Sequence, residues 1–163
     1  MQIANLADHL DLIDTIARWH WEQWSRAEAG GTVQSWADGL RRCTNRDRIP
    51  ATYVALDGTE LCGTVLLVTH DMSTHRELSP WVAGVFVSPA QRGKGIASAL
   101  VRHAVGQAAT MGVTRLYLFT ESARGLYEKL GWHAIAEDHY EGQPVTIMAI
   151  DIVDAGGRAE MDL

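Results

Sequence analysis

Basic residues are in deficit in this chain: 14 Lys and Arg against 20 Asp and Glu leave a formal charge of −6 at pH 7. Affinity for a nucleic-acid backbone comes from clustered Lys and Arg, so this balance argues against a nucleic-acid partner. Cysteine is scarce too. Cys43 and Cys62 are too few for a disulfide framework and match no metal-ligand spacing. No apolar run approaches the roughly 18–20 residues of a membrane span. The N-terminus lacks the basic-then-apolar pattern of a secretory leader. These absences point to a soluble, cytoplasmic protein with no metal, nucleic acid or membrane to bind. What is present is a 47% hydrophobic composition over 163 residues, enough for one core. One domain is expected over residues 1–153. Residues 154–163, with Gly156-Gly157 and the charges Asp154, Arg158, Glu160 and Asp162, read as a flexible tail.

Hydrophobic periodicity divides the chain into elements. Leu12, Ile13, Ile16, Ala17 and His20 recur at helical spacing, which predicts an amphipathic helix from His9 to Trp24 with Asp8 as its N-cap and Gly30-Gly31 beyond it. Val33, Trp36, Ala37 and Leu40 predict a second helix over 33–44. Ala51–Leu56 and Glu60–Thr69 are strand-like runs flanking Asp57-Gly58, a strong hairpin signal. A polar loop from His70 to Pro80 leads into the apolar strand Trp81–Val87. Ile96, Leu100, Ala104 and Ala108 then mark a buried-face helix ended by Gly112. A strand over Thr114–Phe119, a short helix over Ala123–Leu130 and a hairpin of Trp132–Tyr140 with Pro144–Ile150 complete the order.

The most informative stretch joins the third strand to its helix: Val85-Phe86-Val87-Ser88-Pro89, then Arg92-Gly93-Lys94-Gly95-Ile96-Ala97-Ser98. Glycines at such a turn let backbone N–H groups converge, and the helix N-terminus adds partial positive charge. An anion, and above all a phosphate, belongs there. A Walker A loop is excluded because Gly93-Lys94 is followed by Gly95 rather than Ser or Thr. A dinucleotide fingerprint would place Ser98 where its third glycine or alanine belongs, and it expects repeated βαβ units that this order of elements lacks.

Arg92-Gly93-Lys94-Gly95-Ile96-Ala97 matches an Arg/Gln-x-x-Gly-x-Gly/Ala signature, and the chain resembles the GNAT superfamily of acyl-CoA N-acyltransferases. Leu126-Tyr127-Glu128-Lys129-Leu130-Gly131-Trp132 is similar to that family's Leu-Tyr-x-x-x-Gly-Phe segment. The likeness covers nearly the whole chain. It implies an α+β fold, with a mostly antiparallel central sheet flanked by helices. It also implies acetyl-CoA as co-substrate, held at its pyrophosphate by Arg92 through Ser98. Val85, Phe86 and Val87 would offer backbone groups to the pantetheine arm and the thioester carbonyl, with Ser122 as a further contact. Tyr127 would be the general acid for the departing thiolate.

The expected activity is therefore acetyl transfer to a primary amine of a small molecule or peptide, in a monomer or a homodimer. A non-catalytic acyl-CoA sensor is the alternative, because many relatives carry a Glu on the strand before the phosphate turn and Trp81–Gly84 offers none. His70, Asp71, His75 and Glu77 are the nearby candidates for a base. Trp21 and Trp24 are candidate pocket walls, Trp19 and Trp36 are expected in the core, and Arg18, His20, His75 and Arg76 are candidates to meet an acceptor carboxylate.

Overall fold

The computed structural model of the chain describes residues 1–25 and 31–153. The expectations for Gly30 and for the 154–163 tail lie outside the described residues. Seven strands, β1 (Gln2–Asn5), β2 (Ala51–Asp57), β3 (Glu60–Val68), β4 (Trp81–Val87), β5 (Arg115–Thr120), β6 (His133–Tyr140) and β7 (Gln143–Asp151), form one sheet in the order β1-β2-β3-β4-β5-β7-β6. Every neighbouring pair is antiparallel except β4 and β5. Among the described residues four α-helices flank it: α1 (Ile13–Trp24), α2 (Val33–Arg41), α3 (Ile96–Thr110) and α4 (Arg124–Lys129). This is the mixed, mostly antiparallel fold expected from the sequence.

The two faces of the sheet are covered by different helices. Ile13, Ile16 and Ala17 of α1 pack with Ala37 and Leu40 of α2 over Val54, Leu56 and Leu61. On the other face, Ile96, Leu100, Val101, Ala104 and Ala108 of α3 lie on Ala51, Tyr53, Val65 and Leu67, joined by Tyr127 and Trp132. Leu100 is fully buried, a burial that contributes about 1.5–3 kcal/mol. The third cluster, Met72, Trp81, Val145 and Ile147, is covered by the 69–80 loop instead of a helix.

Two differences from the sequence reading concern the N-terminal region. A strand, β1, precedes both helices and pairs with β2 from Gln2↔Leu56 to Asn5↔Tyr53. Four residues are too few to show an alternation, and only the open edge of β2 gives them a partner. The first helix is also shorter than expected. Residues Leu6–Asp8 and Leu10–Leu12 form 3-10 turns, and α1 starts at Ile13 with no side-chain cap. Asp8 instead pairs with Arg46 at 2.6 Å. The second helix ends at Arg41, and its start is secured by a capping box between Thr32 and Ser35.

Both tight hairpins stand where the sequence places them. Asp57 pairs with Glu60 across Gly58-Thr59, and Tyr140 with Gln143 across Glu141-Gly142.

The centre of the sheet departs from regularity. Leu66 pairs with Ala83 and Thr64 with Phe86, so Gly84 and Val85 together oppose the single residue Val65. This is a β-bulge, and Gly84 takes φ +59° within it. Beyond the bulge, β4 has almost no partner on its other side: its ladder with β5 consists of one pair, Trp81 with Tyr117. The two strands meet at one end and diverge toward the phosphate turn.

Gly84→Ala should therefore destabilise the protein by about 1–3 kcal/mol through backbone strain. A Cβ there would also stand 2.6 Å from Leu66 Cδ1. A lowered urea midpoint with an unchanged slope is the expected result.

Candidate active site

The divergence of β4 and β5 opens a cleft of about 1200 Å³. Val82 to Val85 line one side and Leu118 to Ala123 the other, with His20, Trp24, Ser35, Trp36 and Leu40 contributed from α1 and α2. Tyr127 closes it from the α4 side, and Tyr140, Glu141 and Gln143 from the last hairpin.

Of the residues expected at the site, Val85, Ser122 and Tyr127 line this cleft. Tyr127 is 7% exposed, and burial raises its phenol above the ordinary value, so it stays protonated at neutral pH. Its hydroxyl has no hydrogen-bond partner among the described residues and is not among their sealed polar atoms, so it faces the cleft. The rest of the Leu126–Trp132 motif holds that ring. Trp132 packs edge-on against it at 6.3 Å, and the Tyr127 carbonyl accepts from the N–H groups of Leu130 and Trp132.

The phosphate turn stands apart from the cleft lining. Gly93 and Gly95 both have φ +80°, which a side chain would strain, and a Cβ on either would meet nothing within 4 Å. Gly95 caps α3 without any side-chain hydrogen bond, and the first helical bond there is from Ala99 N–H to Gly95 O at 3.1 Å. The N–H groups of Ile96, Ala97 and Ser98 therefore lack intrahelical partners. The Ile96 side chain belongs to the core. The cationic side chains are engaged elsewhere. Arg92 Nε donates to Val87 O at 3.0 Å with its guanidinium over Phe86, and Lys94 Nζ donates to Gln91 Oε1 at 2.9 Å. Backbone amides, not these side chains, are the polar groups left unclaimed at this turn. Phe86 itself turns toward α1 and meets Trp19 at 5.4 Å.

Several acceptor-side expectations are corrected. Trp19 and Trp36 pack against the α1–α2 core as expected, but each is only partly buried: Trp36 also lines the cleft, and Trp19 borders a smaller recess of about 410 Å³ with Arg92. Trp24 is a wall of the cleft, whereas Trp21 donates to Gly31 O at 3.2 Å and lies outside it. His70 and Asp71 line the cleft; His75, Arg76, Glu77 and Arg18 do not. His75 is clamped between Asp138 Oδ2 at 2.7 Å and Glu77 Oε1 at 3.0 Å, and those bonds raise its pKa. With Tyr140 Oη accepting from Ser73 N–H, that clamp ties the 69–80 loop to β6. Among the described lining residues Asp71, Glu121 and Glu141 carry acidic groups and none is Lys or Arg.

His20 differs from its expected role as a carboxylate-binding cation. It is 4% exposed, and burial depresses its pKa to about 4, so the ring is neutral at pH 7. Its Nε2 lies 2.9 Å from Thr64 Oγ1, which in turn donates to the Gly84 carbonyl at 2.9 Å. Trp24 and Phe86 flank the ring edge-on, at 4.9 and 6.4 Å.

The chain matches the Acetyltransferase (GNAT) family over residues 13–132. Solved structures share the fold across almost the full length. An aminoglycoside 6'-N-acetyltransferase complexed with coenzyme A superposes with TM-score 0.75 at 18% identity, covering 94% of this chain and 98% of that one. The aminoglycoside 6'-N-acetyltransferase from Enterococcus faecium gives 0.71 at 18% identity, covering 94% and 98%. The ribosomal-protein-S18-alanine N-acetyltransferase from Escherichia coli gives 0.63 at 21%, covering 95% and 96%. No curated protein matches the sequence. The family match gives the class: an acetyltransferase domain with acetyl-CoA as co-substrate. The chain belongs to the GNAT acetyltransferase family.

Because His20 is neutral when buried and titrates at an ordinary pKa when unfolded, the unfolded chain binds the extra proton between about pH 6.5 and 4. Stability contributed by this residue is present above that window and lost as pH falls through it, by roughly 3 kcal/mol in all. Urea titrations at pH 7 and pH 4.5 should show a smaller acid loss in His20→Phe than in the wild type.

Proposed function

We propose that the protein transfers the acetyl group of acetyl-CoA to a primary amine by direct attack, with Tyr127 as general acid. The observation that carries this reading is the parting of β4 from β5, with a protonated, unpartnered phenol inside the resulting cleft. The unclaimed N–H groups at Ile96, Ala97 and Ser98 suit the pyrophosphate, and the left-handed turn at Gly93 and Gly95 leaves the space it needs. The edge of β4 from Val82 to Val87 offers backbone groups to the pantetheine amides, in the manner of an added strand. Backbone donors at the bulge around Val85 suit the oxygen of the thioester as it gains charge. Ser122, across the cleft, is a second contact to the same arm.

The acceptor amine enters from the side lined by Trp24, Trp36, His70 and the last hairpin. Acidic groups at Asp71, Glu121 and Glu141, without a Lys or Arg among the described lining residues, favour a cationic acceptor. Two of the three neighbours named above are aminoglycoside acetyltransferases, which fits an acceptor with several amines.

Calorimetry with acetyl-CoA, CoA and NAD, followed by a thiol-release assay on an amine panel, tests the reading. Acetyl-CoA and CoA should bind and NAD should not. Tight acetyl-CoA binding with no transfer to any amine would sink it in favour of a sensor. In Tyr127→Phe, kcat should fall by about 10²-fold while acetyl-CoA affinity stays within a few-fold. An unchanged kcat across pH would remove Tyr127 from the chemistry. Gly95→Val, strained at φ +80°, should weaken acetyl-CoA binding by at least tenfold in the same calorimeter.

A further inference from the structure

The carboxylate that many relatives carry on the strand before the phosphate turn has no counterpart on β4, whose residues are Trp81, Val82, Ala83, Gly84, Val85, Phe86 and Val87. One nitrogen base nevertheless stands beside the bulge, contributed by α1. His20 lines the cleft, and its Cε1 lies 3.5 Å from where a Gly84 Cβ would be. The imidazole therefore sits against the bulge backbone, within van der Waals contact of where a Cβ at position 84 would stand.

The hydrogen bonds around the ring determine which nitrogen is available. Thr64 has a single hydroxyl proton, and it is donated to the Gly84 carbonyl. The Thr64 oxygen can then only accept from His20, so the ring carries its proton on Nε2. Nδ1 is left with a bare lone pair. It has no hydrogen-bond partner among the described residues. Nor is it among their sealed, unpartnered polar atoms, which are Tyr53 Oη and Trp132 Nε1 alone. An atom without a partner in a buried ring, yet not sealed, opens on the cleft that the ring lines.

We infer that His20 is the group that receives the acceptor amine: its Nδ1 accepts a hydrogen bond from the amine N–H and takes that proton as the amide forms. The inference rests on the acetyl-transfer reading above. Attack forms the C–N bond and moves the carbonyl electron pair onto oxygen. Collapse of that species breaks the C–S bond and drives the sulfur to take the Tyr127 proton. The new amide nitrogen is left with an excess proton and is then strongly acidic, so even a weakly basic imidazole removes it. Water in the open cleft returns a proton from His20 to Tyr127, and the site is restored.

Depressed basicity is useful in this role. A ring that stays neutral in acid does not repel a cationic acceptor and always presents its lone pair to the N–H of a neutral amine. Thr64 is a positioning residue, since it fixes the tautomer without touching the substrate. The same hydroxyl holds the bulge carbonyl, so one side chain sets both the base and the backbone that faces it.

The test combines spectroscopy with kinetics on the full chain. Two-bond proton–nitrogen spectra of ¹⁵N-histidine-labelled protein, with His20 assigned by its loss in His20→Phe, should show Nε2 protonated and Nδ1 bare at pH 7. Thr64→Val should mix the tautomers and Thr64→Ser should restore the single one. A ring protonated on Nδ1 in the wild type overturns the inference whatever the enzyme acetylates.

Kanamycin and spermidine then serve as amine probes, measured by thiol release. With whichever is acetylated, His20→Phe should lower kcat/KM for the amine by about 10²-fold and leave the acetyl-CoA Kd within twofold. Thr64→Val should lower kcat more than it changes KM, with Thr64→Ser recovering most of it. Wild-type kinetics in His20→Phe overturn the role of His20 but leave acetyl transfer standing. Acetyl-CoA binding without turnover of any amine overturns acetyl transfer itself, and with it this inference. His20→Asn, smaller and polar, gives the same kinetic comparison if the phenylalanine variant does not fold.

Discussion

The single ladder pair between β4 and β5 is the constraint on which the site depends. Strand edges within a sheet normally satisfy one another, and an unpaired edge inside a protein must find water or a ligand. Here two strands are held together at Trp81 and Tyr117 and then diverge, the edge of β4 having been bent by the bulge at Gly84 and Val85. Everything chemical follows from that gap. In the proposed reading it takes an extended ligand as an added strand, and α4 brings the Tyr127 phenol to the cleft from the α3 side. From the opposite face, α1 reaches the same point with an imidazole.

Holding a gap open requires rigid walls, and the two faces supply them differently. On the α3 side, small residues such as Ala104 and Ala108 let the helix lie close on β2 and β3, and Trp132 fills the space around Tyr127. On the α1 side, aromatic rings at Trp19, Trp24 and Phe86 surround His20. Farther along, the 69–80 loop covers Trp81 with Met72 and is tied to β6 through His75 and Asp138. Below its carboxylate range Asp138 loses this bond, and above the raised His75 value the imidazole loses its charge. The clamp is therefore strongest between those limits.

Buried polar groups carry the specificity of the centre. Thr64 and His20 are among the few polar side chains in the core, and each is satisfied by the other on one side. A hydroxyl that bonds both a ring nitrogen and a bulge carbonyl couples helix α1 to β3 and β4 at one point. Apolar packing alone would fix the distance between those elements but not the direction in which a lone pair faces.

Much of this was legible in the amino-acid order. The strand–turn–helix at Val85 to Ser98, the paired hairpins and the Leu126–Trp132 segment are local features. Periodicity, glycine spacing and turn chemistry report such features because they act over a few residues. The same locality explains why Tyr127 could be singled out. The strand β1 is not legible in the sequence, because four residues hold no pattern of their own and only pairing with β2 makes them a strand. His20 was legible as a core-facing residue of an amphipathic helix and as a candidate to meet an acceptor carboxylate, not as a neutral ring. Its neutrality comes from burial, and its tautomer from the Thr64 hydroxyl and the Gly84 carbonyl, which lie 44 and 64 residues away in the chain. Short-range order determined the elements, and with them the glycine turn and the Leu126–Trp132 segment from which the proposed donor half is built. Only tertiary packing decided which side chain meets the amine, because desolvation and a shared hydroxyl are properties of the assembled interior.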